Sequence, residues 1–173
     1  YGSTPEKDME TAEELISLSP DTVRIYPTIT MKDTLLEKYY NDKKYVPYSK
    51  ETTINTCAKI LKMFYDKKIN VIRVGLHYSD ELVSTSVAGF YHPAFRELCE
   101  SKMFLDMLVN EIKKYPQGEF SVIVGNKFIS KAIGQKKANI KVLKELGYIV
   151  TFKQSDTLKD FQFIIKERGD LCY

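Results

Sequence analysis

Hydrophobic residues in the first two thirds of the chain recur at three- and four-residue steps in several segments. This spacing is typical of amphipathic helices. It predicts helices over residues 5–18, around 35–40, 52–67 and 93–115. The first helix follows Ser3-Thr4-Pro5-Glu6, where Ser3 is predicted to be the cap and Glu6 the capping-box partner, and Pro5 needs no amide partner in the first turn.

Two short apolar runs, residues 22–26 and 70–76, are rich in β-formers and predict buried strands. Residues 77–91 between the second run and the last helix are predicted to form a loop. Helices alternate with strands over long crossovers, which favours an α/β fold with a parallel sheet covered by helices. Because two strands cannot bury both faces of a sheet, their partners are expected outside this sequence or in another chain.

The tail has its own pattern of short elements. Strands are predicted over residues 120–124, 148–153 and 161–165, and helices over 127–133 and 138–146. Gly134 to Lys137 is predicted to form a turn between the two helices, and Gly147 to end the second one. We therefore place a domain boundary after the long helix, giving domains 1–117 and 118–173.

The net charge is only +3, but it is unevenly distributed. Residues 119–173 hold 10 Lys+Arg against 6 Asp+Glu, whereas the remainder holds 16 against 17. An electrostatic partner is therefore expected at the C-terminal third. No run approaches the roughly 18 apolar residues of a membrane span, and the polar start lacks a signal-peptide core. We expect a cytoplasmic protein whose natural start is missing or processed.

Three cysteines, Cys57, Cys99 and Cys172, lie far apart in the sequence. Their spacing does not match the close spacing of zinc or iron–sulfur ligands, so no metal site is predicted. Reduced thiols of a cytosolic protein are the simplest interpretation. Cys172, near the terminus, is the candidate for an exposed reactive thiol.

The segment around Gly134 is the strongest local signal for ligand binding. A glycine between two short helices allows a tight turn and close approach to a phosphate, and the next helix begins with a positive dipole end. Residues 126–153 contain seven lysines and one acid, Glu145. This charge pattern predicts a nucleic-acid interface. The candidate contacts are Lys127, Lys131, Gly134, Gln135, Lys136, Lys137 and Lys141.

The order strand, helix, Gly-loop, helix, strand, with Ile133-Gly134 followed by Ile140, resembles a KH domain. The resemblance implies a KH-like βααββ unit whose Gly-loop contacts a single-stranded RNA backbone. Lys137 stands at the position of the second glycine of the KH loop. The alternative is a KH-like fold kept for packing, with solvated lysines on its outside.

The first 110 residues resemble the late part of radical S-adenosylmethionine (SAM) enzymes. Gly2 to Asp8 is similar to the family's GLPG-T-E-D turn, Thr22 to Leu36 with Tyr45-x-Pro47 to its late strand and loop, and Gly89 to Leu98 to its C-terminal extension. The subgroup comprises oxygen-independent coproporphyrinogen oxidase-like proteins and the elongator catalytic subunit. The resemblance implies the last βα units of a partial (β/α) barrel.

In such a barrel, ligands are bound at the C-terminal ends of the parallel strands. The candidate cofactor-binding residues are Arg24, Tyr26, Thr28, Arg73, Gly75 and His77. Arg24 and Arg73 interrupt the two strands at matching positions, so either one contacts a carboxylate of cofactor or substrate or both belong to a salt bridge inside the barrel. His77 is either a proton shuttle or a plain loop residue, and His92 a helix cap.

The resemblance also implies SAM and a [4Fe–4S] cluster in a parent enzyme, either an oxidoreductase or an RNA-modifying enzyme. The three-cysteine loop that binds the cluster is absent from this sequence, so the chain alone is expected to be inactive and catalytic residues are not assigned. The expected partners are the missing N-terminal half of the barrel and RNA or tRNA. The chain is also expected to self-associate through its exposed barrel surface. The alternatives are a non-catalytic RNA-binding module and a structural assembly domain.

Overall fold

The computed structural model describes residues 1–167, and Cys172 lies outside them. The fold is mixed α/β, as predicted. The helices are α1 (Pro5–Ser17), α2 (Leu35–Asn41), α3 (Lys50–Asp66), α4 (Asp80–Thr85), α5 (Phe95–Ile112), α6 (Ile129–Ile133) and α7 (Ala138–Glu145). The strands are β1 (Thr22–Ile25), β2 (Thr30–Met31), β3 (Asn70–Val74), β4 (Ser86–Ala88), β5 (Gly118–Gly125), β6 (Tyr148–Ser155) and β7 (Phe163–Glu167).

The chain divides into two compact units, one ending at Cys99 and the second beginning at Glu100. The division falls inside α5, before the domain boundary placed from the sequence at its end. Within residues 1–167, no helix is long and apolar enough to cross a membrane.

In the N-terminal unit, β1 and β3 pair in parallel, with α3 in the crossover between them. The parallel pairing follows the prediction. Ile25, Val71 and Val74 are buried. The apolar stripe of α3 is buried as well, including Ala58, Leu61 and Phe64. This two-stranded sheet uses only one edge of β1 within the described residues.

Two local predictions in this unit are wrong. Thr4, not Ser3, caps α1: its side-chain oxygen accepts a hydrogen bond from the Lys7 amide, and so Glu6 is one position too early for a capping box. The predicted loop at residues 77–91 contains α4 and β4, which pairs antiparallel with β2. Both elements are too short to give a periodic pattern, and the strand depends on its distant partner.

The C-terminal unit has a three-stranded sheet in the order β6-β5-β7, with β5 parallel to β6 and antiparallel to β7. Alternate residues of β5, Phe120, Val122 and Val124, are buried, and so are Phe104 of α5 and Leu143 of α7. The predicted strand–helix–turn–helix–strand order is observed. The last strand begins two residues later than predicted, because Phe161 packs its ring 4.9 Å from that of Phe128 instead of entering the strand.

Candidate functional site

A cavity of about 550 Å³ lies in the N-terminal unit, between α1, α3, the residues of β1 and the loop at 44–48. Its floor is mainly apolar, with Ala12, Ile25 and Phe64 among the lining residues. Three of the predicted cofactor-binding residues, Arg24, Tyr26 and Thr28, line it together. The volume and the mixed lining are those of small-molecule sites in proteins.

The other three predicted residues lie at the end of β3. Arg73 is half-buried, and its Nη2 lies 3.3 Å from Nε2 of the exposed His77. Gly75 is buried at a φ of +87°, and a Cβ there would lie 2.9 Å from Cβ and Cδ1 of Phe95. The structure therefore gives Gly75 a packing role, whereas Arg73 and His77 present polar atoms to solvent.

Arg24 and Arg73 are direct partners in the β1–β3 register, as their matching sequence positions suggested. Arg24 is exposed, so the strand is not buried on both faces in this unit. No carboxylate lies within 4.0 Å of either guanidinium among residues 1–167, and the salt bridge considered for the barrel interior is not formed within this part of the chain.

A hydrogen-bonded cluster fixes the loop beside the cavity. The Tyr48 hydroxyl donates to Oδ2 of Asp8 over 3.0 Å, and the Ser3 hydroxyl donates to Oδ1 of the same carboxylate over 2.5 Å. Burial, together with the Asp8 carboxylate, raises the pKa of Tyr48 to about 12, which stabilises the protonated hydroxyl as the donor to Asp8. Burial also raises the pKa of Tyr45 in the same loop.

Tyr39, Tyr40, Tyr45 and Tyr48 lie close together in the sequence, but the sequence does not indicate which groups they contact. Tyr45 and Tyr48 line the cavity, whereas Tyr39 packs against Tyr1 with ring centroids 4.9 Å apart. Asp8 ends the Gly2 to Asp8 segment that resembles a family motif. Its contact with Tyr48 joins residues 40 positions apart and leaves no local sequence signal.

Cys57 and Cys99 are both buried free thiols. A hydrogen bond from Cys99 lowers the pKa of Cys57, against the opposing effect of burial. Their spacing in sequence gave no indication of this contact. Within residues 1–167, no three His, Cys, Asp or Glu side chains come together in a way that could hold a metal ion.

In the C-terminal unit, the turn between α6 and α7 combines a buried glycine with two lysines whose backbone is in the left-handed conformation. Gly134 has a φ of +76°, and Lys136 and Lys137 have φ values of 52° and 61°. The Gly134 amide donates to Ser130 O, the Lys137 amide to Gly134 O and the Ala138 amide to Gln135 O. These three amides are engaged within the turn, and the exposed side chains of Lys136 and Lys137 offer positive charge to a ligand.

The predicted nucleic-acid contacts differ in how freely they reach solvent. Lys127, Lys136, Lys137 and Lys141 are exposed, and no carboxylate lies within 4.0 Å of their amino groups within residues 1–167. We call these four residues the basic surface. Gln135 is half-buried and Gly134 buried. Lys131 instead forms a salt bridge with the buried Glu100, with 2.7 Å between Nζ and Oε2, and its Nζ lies 4.6 Å from the Phe128 ring centroid. Its side chain therefore stabilises the interior of the unit.

Asn139 was not singled out from the sequence, yet it holds the turn in place. Its side chain is 4% exposed, and its amide nitrogen lies 3.0–3.1 Å from Ala132 O, Lys131 O, Ser101 O and Ser101 Oγ. It therefore joins the end of α6 and the start of α7 to α5. A Cβ on Gly134 would lie 3.0 Å from Asn139 Oδ1, which explains why glycine occupies that position.

The left-handed backbone of Lys137 leads to a stability prediction. Lys137→Gly is expected to raise the free energy of unfolding by about 0.5–1 kcal/mol, because a side chain with φ of 61° costs about 1–2 kcal/mol and glycine recovers part of it. Denaturant unfolding measures the change. Lys141→Gly within α7 is the control and should destabilise by about 1 kcal/mol. Equal losses in both variants would show that the turn is not strained.

The comparisons with known proteins bear first on the N-terminal unit and the start of α5. Residues 20–104 match the family described as the Radical_SAM C-terminal domain. This match confirms the resemblance to the C-terminal part of radical SAM proteins.

The chain is also similar to the tRNA uridine(34) acetyltransferase of Dehalococcoides mccartyi (strain CBDB1), with 26% identity over 104 residues. The aligned segment covers 58% of this chain and 22% of that protein, so the chain spans about a fifth of the relative's length. Radical SAM chemistry uses SAM and a [4Fe–4S] cluster. The two buried thiols of the described residues do not fit the cysteine set that such a cluster requires.

Proposed function

We propose that this chain is the C-terminal part of a radical SAM enzyme that acts on RNA, and that its basic surface docks the RNA. The observation that carries the RNA assignment is the set of four exposed lysines without acidic partners among residues 1–167. Lysines without an acidic partner contribute most to the free energy of binding when they contact phosphates, because each contact releases condensed counterions from the nucleic acid. The similar tRNA uridine(34) acetyltransferase, whose name describes action on tRNA, supports the same substrate class.

In this proposal, β1 and β3 are late strands of a partial barrel. Their parallel pairing and the exposed Arg24 on one face support it, because a parallel sheet is normally covered on both faces. The N-terminal half of the parent supplies the remaining strands and the cysteines of the cluster. SAM and the cluster supply the radical chemistry when bound. Self-association of the isolated chain through this open side stays a prediction.

The residues of this chain would contribute to binding rather than to radical formation. Arg24, Tyr26 and Thr28 line the cavity, which supports a role for them in contacting cofactor or substrate at the strand ends. Tyr48 and Asp8 hold the neighbouring loop over it. The second unit is proposed to be KH-like, on the strength of its order β5, α6, Gly134 turn, α7, β6 and β7.

The test is RNA binding by a pair of substitutions at the turn. Lys136→Gln with Lys137→Gln is expected to weaken binding of tRNA and of single-stranded RNA roughly tenfold at low salt, because two phosphate contacts are lost. Fluorescence anisotropy with labelled RNA measures the affinity. Hydrogen exchange of the β5 amides in the same variant checks that the unit stays folded.

The chain offers a matched control for this variant. Lys67 and Lys68 are also adjacent and exposed, and Lys68 also has a left-handed φ of 58°. Lys67→Gln with Lys68→Gln removes the same charge from the N-terminal unit and should leave RNA affinity within about twofold. Equal losses in the two double variants would mean that only net charge matters. No loss in either would make the second unit architectural and return attention to a small-molecule substrate.

A further inference from the structure

We infer that Arg24 and Arg73 together form a binding site for a phosphate monoester whose apolar or aromatic body occupies the cavity. This site lies in the N-terminal unit and does not depend on RNA docking at the basic surface. The inference starts from the β1–β3 register, in which the two arginines are direct partners on neighbouring strands. Neighbouring strands lie about 4.8 Å apart, so one ligand group can reach both side chains.

The arginine pair lies beside the cavity. Arg24 is exposed and is one of the residues that line the cavity, and Arg73, its partner in the register, is half-buried. A ligand in the cavity can therefore reach both guanidinium groups with one charged end. A register irregularity between Val23 and Arg24 lies at the same place. Such irregularities are common beside binding sites, where they redirect a side chain.

Two like charges directly opposite one another destabilise a sheet unless something neutralises them. Among residues 1–167, no carboxylate lies within 4.0 Å of either guanidinium. The polar contact of Arg73 in this part of the chain is His77, whose Nε2 lies 3.3 Å from Arg73 Nη2. Arg24 and Arg73 thus offer positively charged hydrogen-bond donors, and no negatively charged acceptor lies close to them in this part of the chain. A doubly charged tetrahedral oxyanion fits it, because arginine binds phosphate through two parallel hydrogen bonds.

The cavity indicates what the phosphate is attached to. Arg24 lines the cavity, and so does Tyr26, which is two residues later and 47% exposed. Tyr45 lines it from the opposing loop, and the floor is apolar. A volume of about 550 Å³ accommodates a ring-sized body beside the charged group. The ligand class is therefore a phosphate monoester with an aromatic or apolar body, and a free phosphate ion would fill only the charged end.

Isothermal titration calorimetry of the full chain at pH 8 and constant ionic strength tests the site, since a phosphate monoester then carries two charges. The probes are phenyl phosphate, inorganic phosphate and benzoate. Phenyl phosphate is expected to bind more tightly than inorganic phosphate, and benzoate at least tenfold more weakly than phenyl phosphate. Benzoate binding as tightly as phenyl phosphate would overturn the inference, because a single carboxylate would then satisfy the site.

Variants assign the binding to the arginine pair. Arg24→Gln and Arg73→Gln should each weaken phenyl phosphate binding about tenfold. Arg24→Lys should weaken it by less, because lysine keeps the positive charge although it loses the two parallel hydrogen bonds of the guanidinium group. Lys59→Gln, an exposed charge on α3, should change the affinity by less than twofold. A loss in Lys59→Gln equal to that in Arg24→Gln, or no loss in Arg73→Gln, would contradict the inference. Lys136→Gln with Lys137→Gln should leave phenyl phosphate binding unchanged, which separates this test from that of RNA docking.

Discussion

Replacing Asn139 with alanine is expected to lower the free energy of unfolding of the C-terminal unit by about 3 kcal/mol, because buried carbonyl groups lose their donor. The Asn139 amide serves Ser101, Lys131 and Ala132, which belong to two different helices. Without it, the end of α6 and the start of α7 lose their link to α5. Denaturant unfolding, followed by hydrogen exchange of the β5 amides, measures the loss.

Two further substitutions separate the role of the amide from that of side-chain volume. Asn139→Asp keeps the shape but turns donors into acceptors that face carbonyl oxygens, so it should destabilise at least as much as alanine. Asn110→Ala changes an exposed residue of α5 and should stay within about 0.5 kcal/mol of the wild type. A stable Asn139→Asp variant would show that the amide is not what holds the turn.

Gly75→Ala is expected to destabilise the N-terminal unit by about 3 kcal/mol, through backbone strain and overpacking together. The residue has a φ of +87°, and the new Cβ would lie 2.9 Å from the Phe95 side chain. Phe95 is 3% exposed and begins α5, so it has little room to retreat. Thermal and denaturant unfolding, with hydrogen exchange of the β3 amides, report the change.

Gly118→Ala provides the reference for this substitution. Gly118 has no left-handed φ, and the nearest atom to an added Cβ is Phe120 Cε2 at 3.9 Å. Alanine there should change stability by less than about 0.5 kcal/mol. If Gly75→Ala were equally mild, the glycine would be free of packing constraints and its assignment as a ligand-facing residue at the strand end would regain weight.

The longer elements of the fold could be predicted because each contains its own periodic signal. The apolar stripe of α3 and the continuous apolar run of β3 can each be recognised from the residues of that element alone. The strand β4 could not be predicted, because three residues carry no pattern and their conformation comes from pairing with β2, more than fifty positions earlier. The cap of α1 was misplaced by one residue because Ser3 and Thr4 can both act as caps, and only the backbone geometry distinguishes them.

The candidate sites were predictable where charge or strand position defined them. The matching positions of Arg24 and Arg73 were readable because both interrupt apolar strands, and the register confirms the pairing. The burial of these strands was overestimated, since one face of β1 and β3 is open in this unit. The engagement of Lys131 by Glu100, the contact between Tyr48 and Asp8 and the anchoring by Asn139 all join distant positions. Such contacts become visible only when the chain is folded.

The measurement that tests the central claim most directly is the salt dependence of RNA binding by the intact chain. Four phosphate contacts from the basic surface predict that the logarithm of the association constant falls with the logarithm of salt concentration at a slope of about −3 for single-stranded RNA. Lys136→Gln with Lys137→Gln should reduce the slope to about −1.5. Affinity that does not change with salt, or no binding at about 50 mM salt, would contradict RNA docking by this chain.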